Sequence, residues 1–265
     1  RDESKENGGK GDLKDGKTLE FQTEMETEEV SGHDAGRAWQ HPKPPSRIWQ
    51  WLQQLLPPVC HHCRKLIPAN SYAEGGAPFL CPECLESLPW LVPEFCCQHC
   101  GNLTAEPNRR GCPQCLDSNW SLHQTCADLR YEGIVREWVL RCKFGRQDWL
   151  APMLGRLMAL AQQQRPPLPP KAVLTPVPLH PNRLRKRGFN QALLLTHHLR
   201  RNLPNPQPEV RPEWLRRIRD TPPQTELPLE ERLRNPENAF AAAPEVQGRT
   251  VIVVDDVMTT GSTLN

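Results

Sequence analysis

Eight of the eleven cysteines stand in four C-x-x-C pairs: Cys60/Cys63, Cys81/Cys84, Cys97/Cys100 and Cys112/Cys115. Two intervening residues let both thiolates of a pair reach one tetrahedral ion at about 2.3 Å over a tight turn. Two pairs complete a set of four ligands, so four pairs predict two structural zinc ions. Sequential pairing is the simplest arrangement, and an interleaved one stays open. A thiol–disulfide switch needs a single C-x-x-C at a helix start, and fourfold repetition speaks against it. Cys96, Cys126 and Cys142 fall outside the spacing and read as small buried hydrophobes. His61, His62 and His99 sit inside the pairs as alternative ligands, although the cysteines already fill four positions per zinc.

A second constellation lies at residues 250–263. Thr250–Val254 is a mostly apolar run of the kind found in buried parallel strands. Asp255 and Asp256 follow it directly, at the strand end where open α/β sheets bind their ligands. Two adjacent carboxylates suit two vicinal sugar hydroxyls, one acceptor group for each. Thr259, Thr260, Gly261, Ser262 and Thr263 then offer successive backbone N–H groups and hydroxyls, with Gly261 permitting a tight turn. Such a concave array binds a phosphate dianion. Carboxylates and phosphate cradle together describe a site for a ribose 5-phosphate.

The elements that must hold these groups follow from pattern. Residues 46–58 carry Ile48, Trp49, Leu52, Leu55 and Leu56 at helical spacing, ended by Pro57-Pro58. Residues 59–118 hold the cysteine pairs between proline-bearing loops, and should form a head whose core is separate from the rest. Beyond residue 126, Ala127–Tyr131 reads as a strand, Ile134–Leu140 and Trp149–Ala161 as helices, and Ala172–Val177 as a buried strand. A basic loop follows, then a helix over Gln191–Arg201, a proline-rich connector, and the strand before Asp255. Strands alternating with helices predict an α/β fold with a parallel sheet.

Charge divides unevenly along the chain. Residues 1–37 carry eleven acidic against six basic side chains, net −5, so a formal total of +2 leaves +7 for the remainder. That excess suits an anionic ligand or a nucleic acid. Residues 1–45 have almost no aliphatic clusters and are expected to be a disordered acidic, polar extension. No stretch approaches the roughly 18 consecutive apolar residues of a membrane span, and the polar N-terminus shows no secretory leader. A cytoplasmic location is expected, where metal binding is the ordinary use of paired cysteines. The chain begins without methionine and stops directly after the phosphate loop, and so reads as a fragment.

VIVVDDVMTTGST at 251–263 resembles the 5-phosphoribosyl-1-pyrophosphate (PRPP) motif of type I phosphoribosyltransferases. Together with the cysteine pairs, YEGIVREWVLRCKFG at 131–145 and VPLHPNRLRKRGFNQ at 177–191, it makes the chain similar to the ComF family, over about Trp51 to Asn265. The resemblance implies a double zinc ribbon over 59–118 and, over 126–265, a type I phosphoribosyltransferase-like domain with a parallel sheet, C-terminally incomplete. It places Asp255 and Asp256 on the ribose hydroxyls and Thr259, Thr260, Gly261, Ser262 and Thr263 on the 5-phosphate. Pro178-Leu179-His180 would be the pyrophosphate loop. Arg219–Phe240, with Gln224, Arg232, Asn235 and Asn238, would be a hood closing over PRPP, with Mg²⁺ bridging the diphosphate. A role in competence or DNA uptake and utilisation is implied, with competence or DNA-processing proteins as partners.

Two activities follow. As a transferase, the protein would let PRPP lose pyrophosphate and pass the ribosyl carbon to an acceptor that the sequence does not identify. As an accessory protein, it would bind single-stranded DNA and use PRPP as a regulatory or structural ligand. Arg183, Arg185, Lys186 and Arg187 serve either account. Arg185 to Arg187 would neutralise departing pyrophosphate or hold a phosphodiester backbone, and a merely solvated basic face is the third possibility. Arg216, Arg217 and Arg219 join them only if the fold brings them close. Trp120, Trp138, Trp149 and Trp214 are base-stacking candidates that more often serve as core.

Overall fold

The computed structural model describes residues 58–67, 79–107, 111–116, 121–221 and 238–258. The acidic extension, the helix expected from residue 46, Trp120, Gln224, Arg232 and Asn235 lie outside the described residues. So do Thr259, Thr260, Gly261, Ser262 and Thr263.

In the cysteine-rich part, two short helices begin directly after a cysteine: α1 (Pro82–Glu86) and α2 (Pro113–Leu116). Proline suits the first helical turn, where its missing N–H would have no partner. Next come α3 (Gly133–Phe144) and α4 (Ala151–Gln163). α3 buries Val135, Trp138, Val139 and Cys142, a stripe at helical spacing. The strand expected over Ala127–Tyr131 is reduced to one bridge between Leu129 and Trp90. Arg165 pins this segment instead, donating to Asp128 Oδ1 at 2.5 Å and to the Ala127 carbonyl at 2.6 Å.

The central strand β1 (Val173–Pro176) is buried along its whole length. Helices α5 (Pro181–Arg187) and α6 (Gln191–Asn202) lead from it to the short strand β2 (Glu209–Val210). Antiparallel β3 (Leu215–Arg217) and β4 (Phe240–Ala242) form a separate ribbon, and β5 (Val251–Val254) closes the described chain. The main sheet runs β2-β1-β5 with both pairings parallel, Val173 beside Val251 and Pro176 beside Val254. It is an open α/β sheet, and the loops after β1 and β5 emerge side by side.

One expected loop is a helix. Residues 183–187 belong to α5, which starts at Pro181 and ends at Gly188 in a left-handed conformation, φ 87°. Gly188 N–H donates to the Leu184 carbonyl at 2.7 Å, closing the helix. Asn190 then caps α6 by accepting from Ala192 N–H, while its amide donates to the Val177 carbonyl at 3.0 Å. The GFN run is thus the joint between two helices, tied to the loop that leaves β1.

α4 and α6 pack closely because Gly155 has no side chain. A Cβ built there would lie 2.4 Å from His198 Cβ and 2.9 Å from Leu199 N. Gly155→Ala is therefore expected to destabilise the protein by about 1–3 kcal/mol, although alanine is the better helix former. A urea unfolding midpoint unchanged from wild type would contradict this packing.

Candidate metal centres and sugar-phosphate site

The cysteines pair sequentially. Cys60, Cys63, Cys81 and Cys84 form one set, and Cys97, Cys100, Cys112 and Cys115 the other, with each set's sulfurs within 4.8 Å of one another. Individual separations are 3.7 Å for Cys63–Cys81, 3.5 Å for Cys100–Cys112 and 3.9 Å for Cys97–Cys115. A tetrahedral ion with bonds of about 2.3 Å needs edges of about 3.8 Å, so both sets fit zinc. Backbone amides favour the thiolate at one cysteine of each set, Cys60 and Cys97. Burial raises the Cys60 thiol, but amide donors from Cys81, Cys63 and His62 outweigh it and bring it down to about 6.

The two sets repeat one design, a regularity that sequence reading missed. Val59 bridges Leu66, and Cys96 bridges Leu103, each pair flanking a cysteine turn. The residue after each turn's second cysteine is left-handed: Arg64 at φ 65° and Gly101 at φ 70°. The matched C-P-x-C at 81–84 and 112–115 was the sequence signal. His61 is not a ligand of either set; its ring meets Phe79 and Trp149 edge-on at 5.7 and 5.2 Å. Cys96 and Cys142 are buried as expected, whereas Cys126 is exposed.

The first cysteine set does not have a core separate from the rest. Cys60, Ile67, Leu80, Cys81, Cys84 and Leu88 belong to the same buried cluster as Trp138, Met153, Leu174 and Val254. The second set forms its own cluster, against which Met258 packs. Met258 lies two residues after Asp256.

At the carboxyl edge of β5, Asp255 Oδ1 accepts the Asp256 N–H at 2.8 Å. Lys143, on the last turn of α3, places its Nζ 3.1 Å from both Asp256 oxygens, and the Asp256 side chain is only 4% exposed. Burial, followed by the negative charge of Asp256, pushes the Asp255 carboxyl up to about 7. Arg187 stands within the field of both carboxylates, and Arg217 within that of Asp255; burial lowers the pKa of each. Lys143 has no signal of its own in the sequence beyond its place in the K-F-G run at 143–145.

Because residues 181–187 are helical, the basic cluster divides by face. Arg183 and Arg187, four apart, are half-buried, while Arg185 and Lys186 are exposed. Arg187 stacks over Phe144, 5.4 Å from its centroid, and bonds Gln191. Arg183 donates to the Thr221 carbonyl and Arg185 to Asn182 Oδ1. His180 caps α5, its Nδ1 accepting from Asn182 N–H and lying 3.5 Å from Asp220. Leu179 is half-buried beside it. Asn182 also donates to Asp220 at 2.8 Å, and Arg217 to Thr221 Oγ1 at 2.6 Å. The segment after β3 is thereby fastened to the loop after β1. Trp138 and Trp214 are buried, and Trp149 is exposed.

Similarity to known proteins covers most of the chain. It is 33% identical to competence protein F of Haemophilus influenzae, across 78% of this chain and 87% of that protein. It is 32% identical to the DNA utilization protein YhgH of Escherichia coli K12, across 79% and 88%. For the protein of that description from Salmonella typhi the identity is 29%, again across 79% and 88%. No family model and no solved structure matches. Among the described residues, no helix is long and apolar enough to cross a membrane.

Proposed function

The chain belongs to the ComF family of competence and DNA-utilisation proteins, and from that premise we propose that it binds PRPP at the joined ends of β1 and β5. One observation carries this: a partly buried acid pair at the end of a parallel strand, contacted by Lys143 and within the field of Arg187 and, at Asp255, of Arg217. Asp255 and Asp256 accept from the ribose hydroxyls, and residues 259–263 take the 5-phosphate. The diphosphate extends toward the loop after β1, near Arg183 and Arg187, where an accompanying Mg²⁺ would add to the neutralisation of its charge. Cleavage at the ribose C1 needs positioning and neutralisation of leaving pyrophosphate, which the half-buried arginines supply. The two cysteine sets hold structural zinc.

A second reading is favoured by the outer face of α5. Arg185 and Lys186 are exposed there and suit the backbone of single-stranded DNA, with PRPP as a regulatory ligand. Pyrophosphate release in the presence of candidate nucleobases, measured beside salt-dependent binding of an oligonucleotide, separates the two. Arg183→Ala with Arg187→Ala should weaken PRPP more than ribose 5-phosphate, because only PRPP carries the diphosphate. Arg185→Ala with Lys186→Ala should reduce the salt slope of DNA binding by about 0.7 for each phosphate the variant no longer neutralises. No affinity for PRPP in the wild-type protein would overturn the first reading.

A further inference from the structure

We propose that Lys143 is the positioning residue of the acid pair, holding the Asp256 carboxylate aimed so that it meets a ribose hydroxyl. The inference rests on the PRPP reading above. Two adjacent carboxylates at a partly buried strand end repel each other, and both lose hydration. A cation fixed against one of them keeps that one charged and stationary. Lys143 does so by donating to Asp256 Oδ1 at 3.1 Å and lying 3.1 Å from Oδ2, the buried oxygen that accepts no hydrogen bond and is left for a ligand hydroxyl. Its own placement is firm, because Val139 and Cys142 on the same turn of α3 are buried in the main core. The last turn of a helix also favours a cation.

The other charged groups around the pair do different work. Arg187 on α5 is committed to Gln191 and to the Phe144 ring, and Arg183 to Thr221 and Asp220. Arg217 on β3 is held by Thr221 and lies over Phe240, 5.2 Å from its centroid. Cys142, beside Lys143 on α3, is a neutral thiol: burial, then the Asp256 charge, pushes it up to about 11. Among the described residues, Lys143 is thus the cation in direct contact with the pair, and it favours the charged form of Asp255 as well.

The test compares wild type with Lys143→Met, Lys143→Arg, Asp256→Asn and the Lys143→Met/Asp256→Asn double variant. PRPP affinity is measured by calorimetry, and melting temperature across pH on the ligand-free proteins. Lys143→Met should bind PRPP at least about tenfold more weakly, Lys143→Arg should recover most of the loss, and the double variant should be no weaker than the worse single one. The bend in melting temperature that reports Asp255 should move to higher pH in Lys143→Met and stay in place in Lys143→Arg. Losses that multiply in the double variant, wild-type affinity in Lys143→Met, or an unmoved bend would each overturn the proposal. If wild type fails to bind PRPP while the bend still moves, the positioning role stands and the ligand reading falls.

Discussion

Cys60→Ser is expected to destabilise the whole protein, whereas Cys97→Ser should cost one zinc and leave the main unfolding transition nearly in place. The difference comes from what each cysteine set touches. Cys60, Cys81 and Cys84 are packed into the cluster that also contains Trp138, Met153 and Leu174 of β1. Removing one thiolate lets this metal site open, and water then reaches the underside of α3. The expected loss is roughly 4 kcal/mol or more, the range seen when a metal site goes. It should appear as a lowered melting temperature together with a changed Trp138 environment in near-ultraviolet circular dichroism. The second set is a cluster by itself, joined by Met258, so Cys97→Ser should disturb the start of the phosphate loop more than the sheet. Equal melting temperatures for the two variants, each with one zinc by metal analysis, would contradict this division.

Asp255→Asn and Asp256→Asn should have opposite effects on stability while both weaken PRPP. Asp255 titrates at about 7 in the folded protein against its ordinary value of 3.8. Its stabilising contribution is therefore complete below about pH 4 and is lost as pH rises through about 7. At pH 8 the wild-type fold carries an ionised, poorly solvated Asp255. Asn removes that burden, so Asp255→Asn should be the more stable protein there, by on the order of 2–4 kcal/mol. Near pH 4 the advantage should vanish. Asp256→Asn strands Lys143 beside a neutral amide, and should lower stability at neutral pH. In calorimetry each variant should lose on the order of 1–2 kcal/mol of PRPP affinity, the difference between a charge-assisted and a neutral hydrogen bond. An Asp255→Asn protein less stable than wild type at pH 8 would contradict the burial and repulsion assigned to that carboxyl.

The eight ligand cysteines, strands β1 and β5, helices α3, α4 and α6, and the acid pair at a strand end are all legible in the sequence. Each is a local regularity: the reach of two thiolates across two residues, the period of a helix, an apolar run ended by charge. α5 is less legible because its dense basic residues look like a loop, whereas Pro181 and Gly188 are the marks of a short helix. Which cysteine pairs share a site is open in the sequence, and the described fold pairs neighbours. That the first set lies in the main core was decided by tertiary packing, since no local pattern says which surface a zinc turn covers. Lys143 makes the point most directly. It meets Asp256 across 113 residues of chain, and spacing of that length leaves no periodic trace. Their meeting follows from α3 and the end of β5 sharing one buried core, so only the folded chain brings the ammonium to the carboxylate.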